Sequence, residues 1–92
     1  MKVHFYAMLR DHVGGAAVEL DLEPGSSALE LIELVVAKHP TLDAALLDKD
    51  RHLHKHMKMF INGREVVYLE AQFDYVLQPT DKVDIFPPVA GG

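Results

Sequence analysis

Between Ser27 and Pro40 the apolar residues recur with the period of a helix, and on either side of that stretch they recur with period two. A chain patterned in this order has to lay its helix across a sheet, because neither apolar face can be left in water. The helix is well delimited. Ser27 followed by Glu30 reads as a capping box, each side chain satisfying an orphan backbone amide at the helix start. Pro40 stops it, since proline donates no amide hydrogen and clashes with the preceding turn. On a helical wheel Ala28, Leu29, Leu31, Ile32, Val35 and Val36 cover one broad face, with Glu30, Glu33 and Ala37 opposite.

Upstream, Val3, Phe5, Ala7 and Leu9 alternate with Lys2, His4, Tyr6, Met8 and Arg10, which predicts a first strand. Gly14-Gly15 signals a turn, and Val18, Leu20 and Leu22 then alternate with Glu19, Asp21 and Glu23 as a returning strand with one wet face. Downstream, Thr41–Leu47 predicts a short helical turn and Asp48–Lys55 a solvated loop. Met57, Met59 and Ile61 alternate up to Asn62-Gly63, a pair able to take positive φ at both positions of a type I′ turn, with Glu65–Val67 returning. Tyr68–Leu77 has mixed periodicity and predicts no element. Pro79-Thr80-Asp81 marks a turn before a last strand, Lys82–Phe86, with Val83 and Ile85 on one face. The order hairpin, helix, hairpin, final strand is that of the β-grasp, or ubiquitin-like, arrangement. The expected fold is α+β, a mixed four- to five-stranded sheet packed on one main helix. Residues 1–86 form the domain and residues 87–92 a flexible diglycine tail.

The chain has 92 residues and no cysteine. That length suits one domain, and stability has to come from packing without a crosslink. It also has no thiolate to act as nucleophile, zinc ligand or persulfide carrier. No uncharged run approaches the ~20 apolar residues of a membrane span, and Val3–Leu9 alternates, contains His4 and stops at Arg10, unlike a secretory signal. A cytoplasmic protein without membrane contact is expected. The net charge of −5 disfavours nucleic acid and suits a basic protein partner.

The usual catalytic sets are missing: there is no phosphate-binding glycine loop with its lysine and no HExxH, and the only serines are Ser26 and Ser27. No independent active site is expected. His52, His54 and His56 stand at i, i+2 and i+4, a spacing that on a strand points three imidazoles to one side. Arg51, Lys55 and Lys58 surround them in a stretch that reads as loop, so no metal site is expected.

The ending Pro87-Pro88-Val89-Ala90-Gly91-Gly92 is the most informative feature. The prolines stiffen the exit from the last strand towards polyproline geometry. The six residues beyond Phe86 extend about 20 Å at ~3.3 Å each, far enough to enter a partner. Glycine has no Cβ, so a narrow channel can close around its backbone. The reactive group would be the Gly92 carboxylate, a poor electrophile until a partner activates it, most simply by adenylation.

The ending Ile85-Phe86-Pro87-Pro88-Val89-Ala90-Gly91-Gly92 with Asp81 in the turn before it, the opening Val3-His4-Phe5-Tyr6-Ala7-Met8-Leu9-Arg10, and Asn62-Gly63 after an apolar strand resemble the MoaD family of ubiquitin-like sulfur carriers. The resemblance implies the small, sulfur-donating subunit of molybdopterin synthase. Gly92 is then adenylated by a relative of ubiquitin-activating enzymes and converted, with a sulfur donor enzyme, to a thiocarboxylate. The large synthase subunit receives the tail, and the sulfur passes to a pterin precursor in molybdenum cofactor biosynthesis. Gly91 and the stalk Pro87, Pro88, Val89 and Ala90 would thread the partner. No cofactor is bound by the chain itself, ATP being used by the activating partner. The His-rich stretch and the long Tyr68–Leu77 connection depart from the family pattern, and such length is similar to MoaD-like small modifiers, including archaeal ones. The alternative is therefore a carrier for tRNA thiolation, or a modifier forming isopeptide bonds through Gly92. In a β-grasp sheet Tyr6, Met8, Phe60 and Phe86 would share the face away from the helix as an apolar partner-binding patch, unless Tyr68–Leu77 folds over it.

Overall fold

A computed structural model describes residues 1–88. Its five strands are β1 (Lys2–Phe5), β2 (Ala17–Glu19), β3 (Lys58–Ile61), β4 (Arg64–Glu65) and β5 (Val83–Phe86), in the order β2-β1-β5-β3-β4. β1 runs parallel to β5, and every other neighbouring pair is antiparallel. The main helix, α2 (Ala28–Lys38), crosses one face of this mixed sheet. Two shorter helices, α1 (Leu9–Val13) and α3 (Asp43–Leu46), complete the β-grasp architecture. No helix among the described residues is long and apolar enough to cross a membrane.

The capping box forms as expected. The Glu30 amide donates to Ser27 Oγ at 3.2 Å and the Ser27 amide to Glu30 Oε1 at 3.0 Å, a start typically worth about 1 kcal/mol over alanine at the cap. Ala28, Leu31, Ile32, Val35 and Val36 are buried against Val3, Phe5, Met59, Ile61, Val83 and Ile85 of the sheet. Leu29, at the margin of the helical face, is half-buried. Asn62 and Gly63 adopt φ of 54° and 83°, the pair of positive values that a type I′ turn requires.

Three expectations need correction. The first strand ends at Phe5, not near Arg10. Ala7 takes φ of 53°, and the amides of Leu9, Arg10 and Asp11 bond back to Tyr6, Ala7 and Met8, turning the chain into α1. Leu9 is fully buried all the same, which is why the alternation reads as unbroken: an apolar residue four positions past the strand end reaches the core from the helix as well. Gly14, with φ of 75°, closes α1 and is not a hairpin turn. The strand expected over Glu65–Val67 is only Arg64–Glu65, because Val66 turns inward to the core and begins a 3-10 turn, Val66–Tyr68. Within the predicted loop Asp48–Lys55, Leu53 bridges Leu47 and packs on the core.

The connection Tyr68–Leu77 carries a 3-10 turn, Gln72–Asp74, against α2. The Ala28 amide donates to Tyr75 O, and the Leu77 amide to Ser26 O. These two backbone hydrogen bonds hold the end of the connection at the start of α2, on the helix side of the sheet.

Candidate interaction face and tail exit

Strand alternation sends Val83 and Ile85 of β5 into the core and leaves Asp84 and Phe86 on the opposite face. Register then assembles that face from distant parts of the chain. Asp84 lies opposite His4 on one side and Phe60 on the other, and Phe86 lies opposite Lys58. The Tyr6 and Phe86 rings stack at 4.1 Å with planes 11° apart, and Phe60 meets Phe86 edge-on at 5.4 Å. The edge-on geometry suits the aromatic quadrupoles. Arg10 holds its guanidinium carbon 5.4 Å above the Tyr6 ring and donates from Nε to Phe5 O at 2.8 Å. Tyr6 donates its hydroxyl hydrogen to Asp84 Oδ1 at 2.7 Å. That bond to the carboxylate, more than burial, raises the Tyr6 pKa above the ordinary phenol value.

Of the four residues expected on the patch, Tyr6, Phe60 and Phe86 are brought together. Met8 belongs to the turn after β1 and is 48% exposed. The cluster stands where the chain leaves the sheet: Pro87 is half-buried and Pro88 exposed immediately after β5. The expected functional residues Val89, Ala90, Gly91 and Gly92 lie outside the described residues.

Sequence reasoning missed a second feature of the tail exit. Asp81 accepts from the Gln78 amide at 2.8 Å, Asn62 Nδ2 at 2.8 Å and Tyr75 OH at 2.9 Å, while Asn62 Oδ1 accepts from the Lys82 amide at 2.9 Å. The carboxylate therefore ties the β3–β4 turn to the turn that launches β5. Burial pushes Asp81 up, but the three donors together hold its pKa below the usual carboxylate value. A depressed folded-state value means that this contribution is present above the unfolded pKa, about 4, and disappears as pH falls through the folded one. Asp81→Ala is expected to destabilise the domain by about 1–2 kcal/mol near neutral pH. Urea unfolding at pH 7 and pH 3 checks this, the deficit shrinking at the lower pH. The Asn-Gly signal was readable locally, whereas the partnership of Asp81 with Asn62 and Tyr75 required the fold.

The histidine stretch is not a strand. Asp48 Oδ1 organises it by accepting from the amides of Asp50 at 2.9 Å and His52 at 3.0 Å, and the His52 bond foremost lowers the Asp48 pKa. Arg51 pairs with Asp43 at 2.7 Å. Among the described residues no group of three or more His, Asp or Glu side chains is placed to hold a metal ion.

The model of the ThiS family matches residues 3–92. The chain belongs to that family. Its ThiS-family relatives include small archaeal modifier protein 3 of Haloferax volcanii, 29% identical over 92 residues that span 100% of this chain and 98% of the relative. The molybdopterin synthase sulfur carrier subunit of Chlamydomonas reinhardtii is 27% identical, again over 100% of this chain and 98% of that protein. Among solved structures, a chain in the Amycolatopsis orientalis BexX/CysO complex superposes with a TM-score of 0.81 at 29% identity, covering 99% of this chain and 98% of that one. The ThiS-family chain is thus similar along its whole length to a protein named as a sulfur carrier subunit, to one named as a modifier, and to a chain crystallised in a complex.

Proposed function

We propose that this ThiS-family chain is the sulfur carrier of a molybdopterin synthase, working in the cytoplasm as its small subunit. The match to a molybdopterin synthase sulfur carrier subunit over the full length of the present chain carries this reading. The carboxylate of Gly92 attacks the α-phosphate of ATP inside an adenylating partner and pyrophosphate leaves. The resulting acyl-adenylate is attacked by a hydrosulfide equivalent from a sulfur donor enzyme, AMP leaves, and a thiocarboxylate remains. A chain without cysteine has no thiol of its own to carry sulfur, so the terminus is the site this chemistry requires. The Tyr6, Phe60 and Phe86 cluster docks the adenylating enzyme and then the large synthase subunit, while the stalk from Pro87 to Gly91 delivers Gly92. Incubation with ATP, the adenylating enzyme and a sulfur source is expected to add about 16 Da to the intact mass, sulfur replacing oxygen. A chain that gains nothing with a competent enzyme is no sulfur carrier.

The similarity to small archaeal modifier proteins 3 and 1, at 29% and 26% identity, favours a second reading in which a lysine amine attacks the same adenylate. Isopeptide-linked Gly92 on cellular proteins, found by mass spectrometry, would select it.

Neither reading uses the histidines. Changing His52, His54 and His56 together to Gln is expected to leave the mass gain and its rate unchanged, measured in the same assay. Stoichiometric zinc in untagged protein together with lost activity of the triple variant would contradict this.

A further inference from the structure

Among the described residues Asp84 is the single charged one withdrawn into the sheet, only 6% exposed, yet it lies on the face away from α2. Its one side-chain donor among the described residues is the Tyr6 hydroxyl, on Oδ1. His4 Nδ1 stands 3.9 Å from the same carboxylate, beyond hydrogen-bond length, and is a buried atom with no partner among the described residues. The face therefore presents one under-satisfied carboxylate, bordered by the rings of Tyr6, Phe60 and Phe86. No lysine or arginine of the described residues pairs with Asp84: Lys58, on the same face, is engaged with Glu65 at 3.6 Å. A partner that covers these rings strips the last water from the carboxylate, which is strongly unfavourable unless the partner brings a compensating donor.

We infer that Asp84 is a receptor for one lysine or arginine side chain of the partner protein that covers this face, which makes it the residue that selects among partners. An ammonium or guanidinium suits the site because it brings an opposite charge and several donors to the carboxylate. A partner with only apolar side chains at this point would leave the carboxylate buried and unpaired, and is rejected. This inference rests on the proposed docking of an adenylating enzyme.

The test measures affinity of the full chain for the adenylating enzyme of the same organism by calorimetry, alongside the mass assay on wild type. Asp84→Asn keeps the shape and removes the charge. Affinity is expected to fall about thirtyfold or more, the usual scale when one member of a buried charge pair is lost, and alanine replacement of one lysine or arginine in the enzyme should cause a similar fall. Circular dichroism checks that the variant is folded; should it unfold, the scan of the enzyme's cations decides alone, and no loss at any of them overturns the inference. Equal or tighter binding by Asp84→Asn overturns it, with wild-type adenylation intact showing that the carrier reading survives. A wild-type chain that is never adenylated removes the carrier reading itself, and this inference with it.

Discussion

Deletion of Gly92, or addition of one residue after it, is expected to abolish both adenylation and thiocarboxylate formation. Each step needs a glycine carboxylate delivered at a fixed reach beyond Phe86, and one residue alters that reach by about 3.3–3.6 Å. Misplacement on that scale is enough to remove a reacting group from an enzyme's site. Gly91→Val should also impair transfer, because a β-branched side chain widens the tail and restricts its backbone. Folding should hardly respond, since the core is complete without these residues: truncation is expected to shift stability by less than about 0.5 kcal/mol, the usual size for changes away from packed features. Intact mass and thermal unfolding of the same samples separate the two effects. A mass gain of about 16 Da in protein lacking Gly92 would show that the terminus is not the acceptor.

Replacing Phe86 by Ala should weaken association with the large synthase subunit and the adenylating enzyme by about 2 kcal/mol, some thirtyfold in Kd. Phe86 stands at the centre of the cluster, with Tyr6 on one face and Phe60 against it edge-on. Its loss therefore removes two aromatic contacts and loosens the surface that a partner would meet. Phe60→Ala is expected to have a smaller effect of the same sign, having one ring contact. Both variants should stay folded, because the two side chains point away from the core that Met59, Ile61, Val83 and Ile85 build beneath them. Titration calorimetry with unchanged affinity for both variants would remove the patch from the proposed docking surface.

Much of the candidate site was legible before any coordinates. The aromatic residues Tyr6, Phe60 and Phe86 follow from strand alternation once the β-grasp order is assumed, and they do meet. The elements whose signal is local came out as read: the capping box at Ser27 and Glu30, the stop at Pro40, the Asn62-Gly63 turn and the buried face of α2. Met8 was placed less well, because the strand ends three residues before it. Period-two alternation cannot distinguish a continuing strand from a turn into a short helix when both bury Leu9.

Amino-acid order by itself determined that a long helix is laid across a sheet, because caps, turn dipeptides and hydrophobic periods act over a few residues and need no distant partner. Only the tertiary structure decided what β5 brings together. Its parallel pairing with β1 places Asp84 beside His4 and under the hydroxyl of Tyr6, and its antiparallel pairing with β3 places Phe86 within reach of Phe60. Tyr6 and Asp84 are 78 positions apart. A carboxylate in an alternating strand reads locally as a solvated residue, and its near-complete burial follows from the neighbours that register supplies. The knot of Asp81 with Asn62 and Tyr75 arises in the same way. Such contacts form only when distant segments are held in one register, and register is set by the common burial of the inner faces of β1, β3 and β5 on α2.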